Sequence, residues 1–551
     1  MLSNLAIFIF SYLLILLSVV GFGFLSTVIF NKFNISNNLG YFGLIGLLFL
    51  GIYSYISSIF IKHSYIHNST LILIGLISFL YYLTKNFKKF KPQIYHFLII
   101  FLILFIASLI FKMHDDFPYY HFPYISLLTE FSHPVGLGIL NNGFRSPSSI
   151  FFISSMFYLP KSEIFLFHLT PAFILIFSNI IFLKMIFNKD IFKDNKFYNF
   201  YSLFAFSFIN IFFYRLAEHG TDRSGMILML IAIYYLIFFT NIEKKLNNHQ
   251  IDLFKIFTIL IFFIISIKPF YLINLTLFLI VFYYEQTRKL FIKLLFSPTF
   301  FYCLSFLFFT FFFTFLNSGC LIFPLEKTCF YNLDWSLNKS IINDTKVWFE
   351  LWAKSGARPD FIVEDRLEYI SNFNWLSSWF KYYFFNKVSD FLLGLIFMIL
   401  VFYLLFFRTN LKKIQNKTEI YFVYFFLFFC MLEWFFKHPT LRYGGYHIFA
   451  LLFFIPASIY LSKLRLEFKD YYKKSLILIL LVSTIFLLRN TSRLINENEL
   501  YGYNIVKNYN YKFIGGDKNF YFRYNNQMKK KDYPVINFFG KKIVIMNIKQ
   551  D

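Results

Sequence analysis

Runs of about 20 apolar residues recur along this 551-residue chain, and a run of that length spans the hydrocarbon core of a bilayer as a helix. In lipid, every backbone N–H and C=O must find its partner inside the protein, so only helices or closed barrels cross. Helix-length runs select the first solution. They lie near 4–30, 39–61, 70–84, 94–112, 164–187, 198–214, 224–241, 253–267, 269–284, 296–316, 387–407, 418–436, 444–463 and 474–489, fourteen in all. Only 15% of residues are charged and 58% are hydrophobic, whereas a soluble domain carries roughly a quarter charged residues. Nuclear, cytosolic and secreted-soluble classes are thereby excluded. The expected fold is an all-α polytopic membrane protein of about 14 helices, with amphipathic helices in the outer loops and a small α/β or β-containing cap at the carboxyl terminus.

The net charge of +24 would suggest nucleic acid in a soluble protein. In this chain the excess sits in short loops, where it sets orientation instead, and no nucleic-acid partner is expected. Basic loops occur at Lys85–Lys91, Lys184–Lys196, Lys244-Lys245, Arg288–Lys293, Arg408–Lys417 and Lys463–Lys474, in every second connection. The alternation predicts that these loops are cytoplasmic. It requires two crossings around Lys268-Pro269, where proline breaks the helix. The loops 113–163, 215–223, 317–386 and 437–443 then face outward, as do the amino terminus and the tail from about 490 to 551. The first apolar run is too long for a cleavable signal peptide and lacks a small-residue cleavage site.

The outer loops hold most of the candidate chemistry. The first contains His114, Asp115, Asp116, His121, Glu130, His133 and Arg145. Adjacent acids at the membrane surface can bind a divalent cation, magnesium or manganese, or take a proton from a hydroxyl; they also suit helix capping. The stretch Tyr119–Phe131 reads as an interfacial amphipathic helix. The second loop packs Arg215, Glu218, His219, Asp222 and Arg223 into one turn, either a functional cluster or a solvated hairpin with Asp222 as a cap. Lys268 either snorkels to the interface or meets a phosphate. The fourth loop carries Lys437, His438, Arg442, Tyr443 and His447 beside Gly444-Gly445, and it breaks the charge trend by being basic on the outer side. Arg442 offers a planar fork suited to phosphate.

The third loop holds Cys320 and Cys329, nine residues apart, expected to pair as a disulfide in an oxidising compartment. With no second cysteine pair, a metal site there is not expected. Cys303 and Cys430 lie inside apolar runs and read as packing residues. The loop also carries Trp335, Trp348, Trp352, Trp375 and Trp379, which suit either a headgroup-level anchor or a groove for sugar rings.

Many helices, an early acidic outer loop and amphipathic loop helices resemble the GT-C superfamily of membrane glycosyltransferases. The stretch 114–157 is similar to a bacterial branch that carries an acid followed by a Tyr-His pair, a glycine-leucine-glycine turn and a small-residue helix. In this sequence these are Asp115-Asp116, Tyr120-His121 and Pro134-Val135-Gly136-Leu137-Gly138-Ile139-Leu140, with Ile139 where the pattern often has asparagine. The acidic loop follows the fourth crossing rather than the first, so about three helices form an added amino-terminal module. The division implied is 1–93 as that module, 94–316 as a GT-C-like core, 317–386 as an outer loop, 387–489 as carboxyl-terminal helices and 490–551 as a tail domain.

The resemblance implies transfer of a sugar from a polyprenyl-phosphate donor to a cell-envelope glycan or lipid acceptor, at the outer face of a bacterial inner membrane among membrane lipids. Asp115 or Asp116 would serve as base or metal ligand. Arg442, Arg145 and Lys268 would meet the lipid phosphate, with His121, Glu218, His219, Asp222, Arg223, Tyr443 and His447 lining the substrate site. Two alternatives stand beside it: an O-antigen or polysaccharide polymerase or ligase, which leans on arginines and a histidine, and a lipid or polysaccharide flippase or transporter.

Overall fold

The computed structural model describes residues 2–29, 38–240, 248–358, 363–407, 420–504, 535–538 and 541–544. The protein is an all-α, multi-pass membrane protein. Among the described residues, eleven helices are long and apolar enough to cross a membrane. Each of the fourteen expected runs coincides with a helix, but three of these helices, Gln93–Ser108, Phe197–Phe212 and Pro269–Tyr283, are shorter. At 1.5 Å per residue, 16 residues reach about 24 Å, less than the roughly 30 Å hydrocarbon core.

Aromatic contacts reveal how the first helices are threaded. Phe24 packs on Phe79 and Tyr82, whereas Tyr12 packs on Phe101 and Phe105. The two halves of Tyr65–Phe105 therefore run in opposite directions beside Leu2–Ile29. They reverse around Asn86, whose backbone leaves the helical region, in the middle of the lysine-rich turn. The start of Leu2–Ile29 meets Ser162 through Ser11 and stacks on His168 through Phe8. That end lies on the same side as the 113–163 segment, as an even number of crossings between them requires.

The chain also turns back at Lys268-Pro269. Helix Asn248–Ile267 ends there, and Phe278 folds against Phe257 and Phe262 of the preceding helix. The lysine loops at 244–245 and 408–417 lie outside the described residues.

The 317–386 segment is ordered around the Cys320–Cys329 disulfide and helix Lys339–Lys354. Trp375 and Trp379 are buried, so both act as packing anchors. Lys354 ties the helix inward through Glu350 and the Ile370 carbonyl.

The last helix, Phe468–Tyr501, does not stop near 489 but runs on to Tyr501. Its polar extension is held by Arg493 and Glu497, one turn apart and paired at 3.1 Å. The Glu497 carboxylate also accepts the Phe111 backbone N–H at 3.0 Å. Residues 490–501 of the segment expected as a tail are therefore part of this helix. Val535–Phe538 and Lys541–Val544 form an antiparallel pair, and the rest of the segment expected to form a cap, 505–534, 539–540 and 545–551, lies outside the described residues.

Candidate functional site

Four polar segments far apart in sequence converge on Arg442. Its Nη2 donates to Asp116 Oδ2 at 2.5 Å, and its Nε donates to Asp222 Oδ2 at 3.0 Å. The other oxygen of Asp222 pairs with Lys268. His114 Nδ1 stands 3.7 Å from Asp116 Oδ2 and accepts the Asp116 backbone N–H at 3.2 Å. Two carboxylates and two basic side chains thus form one alternating chain.

Local backbone chemistry positions each member. Asp116 immediately precedes the helical turn Phe117–His121. Asp222 sits in the first turn of Thr221–Thr240, where the helix dipole favours a negative charge, and Tyr271 donates to its carbonyl at 2.9 Å. Arg442 lies in a short turn, Leu441–Tyr443, between two long helices. Three side chains fix the approach to that turn. Trp379 donates to the Pro439 carbonyl at 2.7 Å and Trp434 to the Thr440 carbonyl at 2.6 Å, while Tyr383 accepts the Leu441 N–H at 2.8 Å.

Two glycines close the site. Gly220, at φ +66°, brings the chain against His121, and a Cβ there would lie 3.0 Å from the ring. Gly444, at φ +101°, turns the chain after Arg442, and a Cβ there would press on His447 and Phe270. Both are left-handed positions that suit only glycine well.

One wall of the cluster is aromatic. The Arg442 guanidinium lies 5.5 Å from the Trp352 ring centre and 5.8 Å from that of Tyr443. Lys268 Nζ is 5.7 Å from the same tyrosine ring. Trp352 and Tyr443 meet edge to face. Cations over such rings are stabilised by about 0.5–2 kcal/mol, more as water is excluded.

The electrostatics follow from the pairing. Burial works against ionised Asp116, but its basic neighbours, Arg442 foremost, together outweigh it and hold the carboxyl below its usual range. Burial likewise opposes the charge of Arg442, and Asp222 and Asp116 more than offset it, raising its pKa well above the ordinary value. Burial pushes His121 down to about 3 against the pull of Asp116, so the ring is neutral at physiological pH. Burial also pushes the Tyr443 hydroxyl up to about 12.

Of the residues expected from sequence, Asp116, Asp222, Lys268 and Arg442 form the ionic cluster, with Tyr443 in its wall and His121 against the Gly220 turn. The Nε2 of His121 is buried without a hydrogen-bond partner among the described residues. His447 is buried beside Tyr271. Asp115 is exposed and takes no part in the cluster's ion pairs. Arg223 stacks over Phe213 and Tyr446. Arg145 is placed apart from the cluster: it donates to the Gly138 carbonyl at 3.2 Å and to Thr345 at 2.5 Å, clamping the glycine turn to the third loop's helix. Glu218 and His219 belong to the helical turn Leu216–His219, and their side chains lie outside the described residues.

Tyr271 joins the site in addition to the residues expected from sequence, and Trp352 is the one of the third loop's tryptophans that reaches the Arg442 guanidinium. The tryptophan-rich composition of its loop is a signal for Trp352; Tyr271 carries none beyond its nearness to Lys268. Among the described residues, no group of three or more His, Cys, Asp or Glu gathers to hold a metal ion. Asp116 Oδ2 and both oxygens of Asp222 face side-chain cations.

The chain matches the family described as "Domain of unknown function (DUF8201)" over residues 5–449, a stretch that includes every member of the cluster. No curated protein and no solved structure matches.

Proposed function

We propose that this chain, which belongs to the DUF8201 family, is a membrane glycosyltransferase acting at the extracytoplasmic face. It would move a sugar from a polyprenyl-phosphate donor to a hydroxyl of a glycan or lipid acceptor in the cell envelope. The observation that carries this reading is Arg442 held between Asp116 and Asp222, with Lys268 beside it. A transfer from a lipid phosphate needs a cation for the departing phosphate and a base for the acceptor hydroxyl within one site. Asp116 and Arg442 supply that pair in contact.

In this mechanism the donor phosphate competes with Asp116 for Arg442 and releases the carboxylate. The bond from the sugar's anomeric carbon to the phosphate oxygen breaks, and a bond from that carbon to the acceptor oxygen forms. The hydroxyl proton passes to Asp116. The polyprenyl phosphate leaves with the bonding electron pair, its charge met by Arg442 and Lys268. Trp352 and Tyr443 offer a face for a sugar ring. The Cys320–Cys329 disulfide and the alternation of basic loops support the outward placement.

The polymerase or ligase alternative draws on one observation: the neutral, buried His121 lies close enough to feel the cluster's charges. In that reading Arg442 and His121 act, and Asp116 serves only to hold Arg442. A flippase or transporter would move its lipid without making a glycosidic bond.

The test is a strain lacking the protein, profiled for surface glycans and glycolipids. A transferase predicts loss of one glycan component together with accumulation of its polyprenyl-phosphate-sugar donor. An unchanged glycan and donor pool would refute the reading.

A further inference from the structure

A second charged centre lies at the end of Phe468–Tyr501, on the side of the molecule that holds the Arg442 cluster. A cleft of about 510 Å³ opens there, and its lining includes Lys112, Tyr214, Arg215, Arg489, Arg493 and Glu497. Four basic side chains share that lining with a single carboxylate. The carboxylate is engaged: Glu497 takes Arg493 at 3.1 Å through one oxygen and the Phe111 N–H at 3.0 Å through the other. Arg493 also donates to the Leu109 carbonyl at 2.8 Å, so this inner pair is a rigid floor. Toward solvent, Lys112 is exposed. Arg489 stands over the Tyr214 ring at 3.9 Å and donates to the Ile211 carbonyl at 2.6 Å.

The lining therefore carries a surplus of positive charge. It also lies on the side that the loop charges predict to face outward, where the charge rule disfavours lysine and arginine. Guanidinium forks and an ammonium group around a small concave space match the charge and shape of a phosphate.

We infer that the cleft is a binding site for a phosphate group at the membrane surface, separate from the Arg442 cluster. The inference does not depend on glycosyl transfer. The phosphate could belong to a lipid headgroup or to a soluble ion, since both present the same oxygens.

The full-length protein, purified in a neutral detergent, allows the test. Retained lipid is measured by native mass spectrometry with phosphatidylglycerol or phosphatidylcholine added, and inorganic phosphate is added as a competitor. The expected result is selective retention of phosphatidylglycerol, weakened about tenfold or more in Lys112→Gln/Arg489→Gln through loss of charge-assisted bonds. Arg489→Lys, which keeps the charge, retains binding and separates a lost ligand contact from a folding defect. Displacement by inorganic phosphate identifies the phosphate group alone as sufficient; resistance to it assigns the site to a lipid headgroup. Equal retention of both lipids by the wild type with no response to phosphate overturns the inference. So does unchanged binding in the double variant. Loss of binding in Asp116→Asn would overturn the separation of the two sites.

Discussion

Arg442 Nη2 meets Asp116 Oδ2 at 2.5 Å across 326 residues of sequence, and the same guanidinium meets Asp222 at 3.0 Å. One side chain in a short turn thereby fastens the acidic loop to the start of helix Thr221–Thr240. In the proposed mechanism the contact joins stability to chemistry, because whatever takes Arg442 sets a carboxylate free.

Removing the cation should be costly. Arg442→Gln takes the guanidinium from Asp116 and leaves Asp222, only 8% exposed, with Lys268 alone. Loss of one partner of a buried pair typically costs about 3–5 kcal/mol, and the partial exposure of Asp116 places this case toward the lower end. Combining Arg442→Gln with Asp222→Asn should recover part of the loss, giving a coupling of about 1–3 kcal/mol. Thermal unfolding of the four purified proteins in detergent reads this directly. Strict additivity would show that the ion pair contributes no coupling.

The pH dependence has a defined sign. Asp116 has a depressed folded pKa, so its contribution is present above the ordinary carboxylate pKa and is lost as pH falls through the folded value. His121 is depressed from 6.5 to about 3, so the unfolded chain binds its proton first. Stability should therefore decline as pH drops from about 6.5 toward 3, with the carboxylate adding to the loss at the acid end. His121→Gln should flatten the upper part of that decline and Asp116→Asn the lower part. A thermal midpoint series across this range, with no slope difference between variants, would contradict the assignment.

The Gly220 turn holds the site by backbone geometry. Gly220→Ala combines a left-handed residue with a Cβ 3.0 Å from the His121 ring. It should lower stability by about 1 kcal/mol or more and reduce product, while an alanine at Gly502, which is also left-handed but meets nothing within 4 Å, should carry the backbone cost alone. Unfolding midpoints of the two variants compare the effects.

Much of the fold is legible in the sequence because most apolar runs are long and bounded by lysines. The reversal at Asn86 and the turn at Lys268-Pro269 both fall where charge and proline indicate. The last helix reads short in sequence because Asn490, Arg493 and Glu497 look like solvent-facing residues. Their pairing with one another and with the 106–111 backbone is a tertiary fact. The same limit applies at the site. Asp115 and Asp116 are chemically identical neighbours, and only the position of Arg442 in space distinguishes them. Arg145 looks like another phosphate ligand, yet its partners are Gly138 and Thr345, the second of which lies 200 residues away.

Asp116→Asn and Asp115→Asn, each expressed in a strain lacking the native protein, offer the sharpest comparison. Loss of a positioned base typically lowers rate about 10²–10⁴-fold. With both variants at normal membrane abundance, Asp116→Asn should abolish the glycan product and let the polyprenyl-linked donor accumulate, while Asp115→Asn should leave both near wild-type levels. Normal product from Asp116→Asn would contradict a catalytic role for this carboxylate and shift the chemistry to Arg442 and His121.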